Sequence, residues 1–292
     1  MHIQKSFSSD EKGKLYIVPT PIGNLEDITY RALQILKDVD VIAAEDTRQT
    51  QKLLNHFEIS TPTFSYHEHN KGAVGEKIIL QLKTGKNIAL VSDAGMPVIS
   101  DPGFDLVEQA SEWVDVVVLP GANAALTALV GSGLPAEHFY FYGFLPRKKK
   151  ELKEVLTNLQ YVQATLLFYE SPYRIKDTLK GMKDVWGPER KIVLARELTK
   201  RYEEYVRGTV EEILEWTNSE DAQVRGEFCI VVEGSSQEQE SQEQWWSDLS
   251  ILDHVDHYII EKGMSNKDAI KEVAKERGIP KREVYEIFHK EN

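Results

Sequence analysis

Short apolar runs alternate with helical spacing through the first 120 residues. The runs are LYIV (15–18), DVIAA (40–44), TFSY (63–66), NIALVS (87–92) and VDVVVL (114–119). Between them, Ile28, Ala32, Leu33, Ile35 and Leu36 recur on one helical face, and Val74, Ile78, Ile79 and Leu82 on another. The runs are almost continuous in apolar residues rather than alternating, which suits parallel strands covered on both faces by crossover helices. Residues 14–122 are therefore expected to form an α/β domain around a five-stranded, mostly parallel sheet.

A second set of runs fills the next hundred residues: FYFYGF (139–144), ATLLFYE (164–170), KIVLARE (191–197), EEYVRGTV (203–210) and EFCIVVEG (227–234). EEYVRGTV alternates and reads as an edge or antiparallel strand, so the sheet of residues 123–234 is expected to be mixed. A small-residue helix, ANAALTALVGSG (122–133), links the halves. Residues 235–244, SSQEQESQEQ, have a linker's composition. Residues 245–292 change to purely helical periodicity. Ser265 caps a helix that stops at Arg277-Gly278, and Pro280 opens another. This outline fits either a helix-turn-helix extension or a small bundle packed for its own sake.

The 292 residues hold 35 basic and 47 acidic side chains, a net charge of −12. That balance excludes a protein that coats DNA or anionic lipid through bulk charge, and a specific RNA would need a local basic surface. A single cysteine, Cys229, allows no intrachain disulfide and suits a reducing cytoplasm. No apolar run reaches membrane-spanning length. Residues 1–13 are polar, lack the apolar middle of a secretion signal, and are expected to be a flexible tail.

Glycine-rich and polar clusters come directly after each of the first five strands: Thr20 to Asn24, Glu45 to Arg48, Tyr66 to Asn70, Ser92 to Pro97, and Pro120 to Asn123. The carboxyl ends of parallel strands are where open α/β sheets bind ligands. Neither GxGxxG nor GxxxxGK[ST] occurs, so dinucleotide and P-loop readings lose their support. Pro19, Pro21, Pro97 and Pro102 stiffen the loops and remove backbone donors, which favours a ligand with a cationic end over a polyphosphate.

VPTPIGNLEDIT (18–29), AAEDTRQT (43–50), SYHEHN (65–70), VSDAGMPVISDPG (91–103) and LPGANAALTAL (119–129) together resemble one family. So do FYGFLPRK (141–148), YESPYRI (169–175), ARELTKRYEE (195–204) and RGEFCIVVEG (225–234). The chain is similar to the ribosomal RNA small subunit methyltransferase I family of the tetrapyrrole methylase superfamily. The resemblance implies the fold class: two α/β domains of the tetrapyrrole methylase type, with a small helical extension. It also implies S-adenosylmethionine as cofactor, the ribose 2′-hydroxyl of a cytidine in small-subunit (16S) rRNA as target, the small ribosomal subunit as partner, and a homodimer. Rival readings are a small-molecule methylase acting on a tetrapyrrole, and a non-enzymatic RNA- or ribosome-binding protein that keeps the fold.

Carried over residue by residue, the resemblance assigns Thr20, Pro21, Ile22, Gly23, Asn24, Asp93, Ala94, Gly95, Met96 and Pro97 to the cofactor, with Pro120, Gly121 and Ala122 close by. The plainer alternative makes Gly95 and Gly103 turn residues and Asp93 and Asp101 helix caps. Glu45 or Asp46 is expected to accept the hydroxyl proton and Arg48 to hold a phosphate; an Asp–Arg pair bracing its loop fits the same residues. Arg147, Lys148 and Lys149 form the most basic run. With Arg174, Arg196 and Lys200 and interleaved tyrosines they suit RNA, although a solvated helix start fits the run equally. His67, Glu68 and His69 lack partner spacing for a metal site, and no metal is expected.

Overall fold

All ten apolar runs become strands within one or two residues of the positions expected from the pattern. The computed structural model describes residues 3–4, 6, 12–219, 222–237, 246 and 248–290. In the first half, β1 (Leu15–Ile17), β2 (Val41–Ala44), β3 (Thr63–Ser65), β4 (Ile88–Val91) and β5 (Val116–Val118) form one sheet of order β3-β2-β4-β1-β5. Every pairing in it is parallel. Helices α1 (Tyr30–Asp38), α2 (Thr47–His56), α3 (Lys71–Lys83) and α4 (Phe104–Ser111) are the crossovers. Strand alternation divides the apolar residues between the two faces. Val18, Ile42, Ala44, Ala89 and Val91 pack with Leu36 of α1 and Leu54 of α2. Leu15, Ile17, Ala43, Ile88 and Leu90 pack with Ile78 of α3 and Leu106 of α4.

Helix α5 (Ala124–Ser132) leads into β6 (Phe139–Phe144), β7 (Thr165–Glu170), β8 (Lys191–Arg196), β9 (Glu204–Thr209) and β10 (Phe228–Val232), with α6 (Lys149–Leu159), α7 (Ile175–Trp186) and α8 (Val210–Trp216) between them. The order is β6-β7-β10-β8-β9. Only β6 and β7 run parallel; the other pairs are antiparallel, and β9 is the antiparallel edge. Here too the side chains alternate. Leu166, Phe168, Ile192, Leu194, Ile230 and Val232 face the helices α6 to α8. Leu167, Tyr169, Val193, Ala195, Cys229 and Val231 face α5, where Ile22 from the first half joins them. Both sheets belong to one compact unit, Met1–Gln237.

The second unit, Glu238–Asn292, contains α9 (Ile251–Ile260), α10 (Asn266–Arg277) and α11 (Lys281–Lys290) around Val255, Ile270, Val273, Val284 and Phe288. Ser265 caps α10 and Gly278, at φ 64°, ends it. His254 is fully buried, between the rings of Trp246 and Tyr258, with its ring nitrogens against Glu276 and Arg277. Most of the expected linker, residues 238–244, and residues 1–2, 5 and 7–11 of the expected tail lie outside the described residues. Gln4 is described, and its side-chain amide makes a paired hydrogen bond with the backbone of Val116 on the β5 edge.

Candidate active site

A fully parallel first sheet brings the five polar loops to one edge, and backbone hydrogen bonds then join them. Thr20 and Gly95 exchange both N–H···O bonds, at 2.9 and 3.0 Å, as a one-pair antiparallel bridge. Thr20 Oγ1 donates to the Ser92 carbonyl at 3.1 Å. Gly95 has φ 82°, and a Cβ there would stand 3.1 Å from Ile22 Cγ2 and 3.5 Å from the Ala122 carbonyl oxygen. The loops after β1, β4 and β5 thus converge on a residue that only glycine fills without strain. Gly121 packs as closely on Pro19, where a Cβ would lie 2.6 Å from the ring.

Next to this junction is a cavity of ≈460 Å³, within the range of small-molecule sites. Ile22, Glu45, Asp93, Ala94, Gly95 and Met96 line it from the first half. The inner face of the second sheet closes it with Tyr169, Ala195 and Cys229, the residues that alternation turns toward α5. Asn123 lines it as well, and its Oδ1 caps α5 by accepting from Leu126 N at 2.9 Å. Burial holds the Cys229 thiol up at about 12, so it contributes bulk and no thiolate.

Charge is one-sided here. Five carboxylates, Glu45, Asp93, Asp101, Glu170 and Glu227, line the cavity; among the described residues no lysine, arginine or histidine lines it, although Lys200 pairs with Glu227. Burial, reinforced by Asp93, raises the Glu45 carboxyl above the ordinary range. Asp101 is raised to about 6, first by burial and then by Glu45, with a Ser92 hydrogen bond opposing. Glu170 is neutralised internally. Its oxygens accept from Thr178 Oγ1 at 2.6 Å and Ser171 N at 2.8 Å, with Arg174 Nη1 3.5 Å away. Among the described residues, no group of three or more His, Cys, Asp or Glu side chains is arranged to hold a metal ion.

The loop carrying Asp101 is strained. Val98 and Ser100 have φ 77° and 62°, between glycines at 82° (Gly95) and 146° (Gly103). A β-branched residue in the left-handed region persists only where its surroundings force it, and such strain gathers at functional sites. The loop after β8 is strained as well, with Glu197 at 50° and Thr199 at 64°. It meets the first half at Gly23, where a Cβ would lie 2.4 Å from Lys200 Cγ, 2.9 Å from Thr199 Oγ1 and 3.1 Å from the Leu198 carbonyl.

The expected site residues divide into groups. Ile22, Asp93, Ala94, Gly95 and Met96 line the cavity, Thr20, Gly121 and Ala122 meet at the junction beside it, and Pro97 is buried. Pro21 and Gly23 flank Ile22, exposed Pro120 lies beside Gly121, and Asn24 caps the short helical turn Leu25–Asp27. Glu45 is the one expected catalytic residue in the wall. Asp46 instead caps α2 and chelates Arg48, with Oδ1–Nε at 3.0 Å and Oδ2–Nη2 at 2.7 Å, which pulls its carboxyl down to about 2. Arg48 is exposed over a shallow groove with Gln51, Lys52 and Asn55. Arg147 and Lys149 are exposed, and Lys148 pairs with Glu151 one turn along the same helix start. Three cations expected to face RNA are engaged by protein groups instead. Arg174 donates to the carbonyls of Leu145 and Pro146, Arg196 is 6% exposed and pairs with Glu204, and Lys200 bridges Glu197 and Glu227. Asp101, Phe144 and Tyr169 line the cavity without having been assigned to it from sequence.

The family model described as Tetrapyrrole (Corrin/Porphyrin) Methylases matches residues 14–214. The protein named ribosomal RNA small subunit methyltransferase I from Halalkalibacterium halodurans is 55% identical over 293 residues, covering 100% of both chains. The chain belongs to the ribosomal RNA small subunit methyltransferase I family. Its Bacillus subtilis member is 56% identical over 289 residues, 98% of each chain. Among solved structures, uroporphyrin-III-C-methyltransferase from Thermus thermophilus superposes with a TM-score of 0.55 at 20% identity, covering 76% of this chain and 94% of that one. Diphthine synthase does so at 0.59 and 13%, covering 76% and 90%. At such identities these two likenesses show the fold, whereas the family rests on the full-length relatives.

Proposed function

We propose that the protein transfers a methyl group from S-adenosylmethionine to the ribose 2′-hydroxyl of a cytidine in small-subunit rRNA. The observation that carries this reading is the acidic, arginine- and lysine-free cavity at the junction of the loops after β1, β4 and β5, in a chain 55% identical end to end to a protein named for rRNA methylation. With Glu170 held by Thr178, Ser171 and Arg174 and Glu227 paired with Lys200, three carboxylates, Glu45, Asp93 and Asp101, remain among apolar walls. They suit a cationic amino-acid sulfonium and do not suit a polyphosphate. The residues fit this cofactor. Asp93, Asp101 and Glu45 would face its positive groups, Ile22 and Met96 would pack its apolar parts, and Gly95 lets the backbone approach closely. When bound, it supplies an electrophilic methyl group on a positively charged sulfur.

The chain's own residues then have separable tasks. Glu45, with its raised proton affinity, is the wall carboxylate suited to accept the hydroxyl proton at Oε1 or Oε2. Asp46 and Arg48 hold the start of α2, and through the Asp46 N–H bond to Asp93 Oδ1 (3.0 Å) they fix that carboxylate. The run Arg147, Lys148 and Lys149 supplies the local positive charge that an acidic protein needs to hold RNA phosphates. A second copy of the chain completes the molecule, and exposed Phe139 on the α5 side of edge strand β6, with Leu126 and Val130 on α5, offers it apolar surface. No helix among the described residues is long and apolar enough to cross a membrane, which accords with work on ribosomal subunits in the cytoplasm. The deciding experiment incubates the protein with radiolabelled S-adenosylmethionine and small ribosomal subunits from cells lacking it, then maps the label by mass. Label on a base, or none on rRNA, refutes the reading.

A further inference from the structure

Phe144 closes β6 and lines the cavity, yet 56% of its surface is open to solvent. An apolar side chain of that size is usually covered, and several contacts hold this one in place. Its ring meets Tyr169 at 5.6 Å and 63°, and Tyr169 in turn meets Phe141 at 4.9 Å. The strand bulges between Phe141 and Gly143, where Gly143 takes φ 84° and a Cβ would stand 3.1 Å from Ser100 Oγ. The strained cavity loop therefore sets the direction in which the strand ends. On the other side Leu145 is buried, and Arg174 grips the Leu145 and Pro146 carbonyls at 3.1 and 2.8 Å.

Beyond that clamp the chain becomes cationic at once, with Arg147, Lys148, Lys149 and Lys150 all exposed. Among the described residues, the charged side chains that line the cavity on the other side are all carboxylates. A nucleotide meeting this boundary divides in one way. Its phosphodiester is repelled from the cavity and held by the basic run, while its uncharged base and sugar are free to enter. A rigid, half-open aromatic ring at the dividing line is what an unstacked base packs against.

We propose, building on the rRNA methyltransferase reading, that Phe144 is the platform on which the target nucleobase stacks while Arg147 to Lys150 hold its flanking phosphates. Stacking of this kind changes RNA affinity by about 5- to 100-fold per base. The platform accepts any base, so identity must be read by other groups.

The test uses full-length protein and a short small-subunit rRNA fragment with the fluorescent base pyrrolocytosine at the methylated position, without methyl donor. Wild-type protein is expected to quench the fluorophore on binding. Phe144→Ala loses the quench and about 5- to 100-fold in affinity, and Phe144→Trp restores both. Cofactor affinity from calorimetry and oligomeric state from light scattering are measured alongside. Unchanged quenching and affinity in Phe144→Ala overturn the proposal. So does loss of RNA binding that tracks dissociation into monomers, which would make Phe144 a contact between copies. A wild-type protein that binds neither cofactor nor rRNA would instead refute the underlying reading, whatever Phe144 does.

Discussion

Replacing Asp101 with asparagine should make the free protein more stable and a worse ligand binder. The carboxyl titrates at about 6 instead of 3.8, chiefly because burial, and then Glu45, oppose its charge. Between those values the folded state binds more protons than the unfolded state, so stability falls as pH rises from about 4 to 6 and stays reduced above. A hundredfold gain in proton affinity corresponds to about 3 kcal/mol. The group keeps substantial contact with water, which cuts this to about 1–2 kcal/mol. Asp101→Asn is therefore expected to melt about 3–6 °C higher than wild type at pH 7.5, with the difference gone by pH 4. Binding should change in the opposite sense. A cation needs the ionised carboxylate, so wild-type affinity for S-adenosylmethionine should be about tenfold weaker at pH 5 than at pH 8. The variant should bind more weakly at pH 8 and show a flatter profile. Differential scanning fluorimetry and calorimetry across pH give both readouts. A variant that melts below wild type at pH 7.5, or wild-type affinity indifferent to pH, refutes the reasoning.

Gly23→Val drives a branched side chain into the Leu198 carbonyl and Thr199, and should cost about 1–3 kcal/mol by chemical unfolding while weakening cofactor binding. Thr178→Val keeps its shape but removes a donor from the buried Glu170 carboxylate, for a loss of about 1–3 kcal/mol in urea melts. Lys148→Glu with Lys149→Glu should weaken RNA binding and lower its dependence on the logarithm of salt concentration by about one for each lost phosphate contact. Cofactor calorimetry should be unaffected by that pair, because neither residue lines the cavity.

Strand positions were legible because backbone burial leaves a direct pattern. Parallel strands such as Ile88–Val91, buried on both faces, are apolar throughout, whereas the edge strand Glu204–Thr209 mixes polar and apolar residues and has no fully buried position. In a parallel first sheet the five loops have to share an edge, which is why Ile22, Glu45, Asp93 and Met96 could be placed at one site. The second wall was hidden. Alternation shows that Tyr169 and Phe168 lie on opposite faces, but not that α5 covers one of them and leaves the cavity there. Asp101 looked like a cap because its raised proton affinity comes first from burial in the folded loops and then from Glu45, 56 positions earlier in the chain. Arg196 looked like an RNA contact because charge in sequence does not reveal Glu204 directly across the β8–β9 ladder.

The residues that enclose the cavity run from Ile22 to Cys229. A growing polypeptide has nearly all of the first sheet's loops by residue 123, yet it lacks the floor until the last strand of the second sheet is made. Prematurely released fragments would thus carry the sequence motifs of the first sheet without the cavity's second wall. The lining residues all belong to the first unit, so they have all been made before the terminal three-helix unit is synthesised. An enclosed cavity therefore records that translation has passed one late checkpoint.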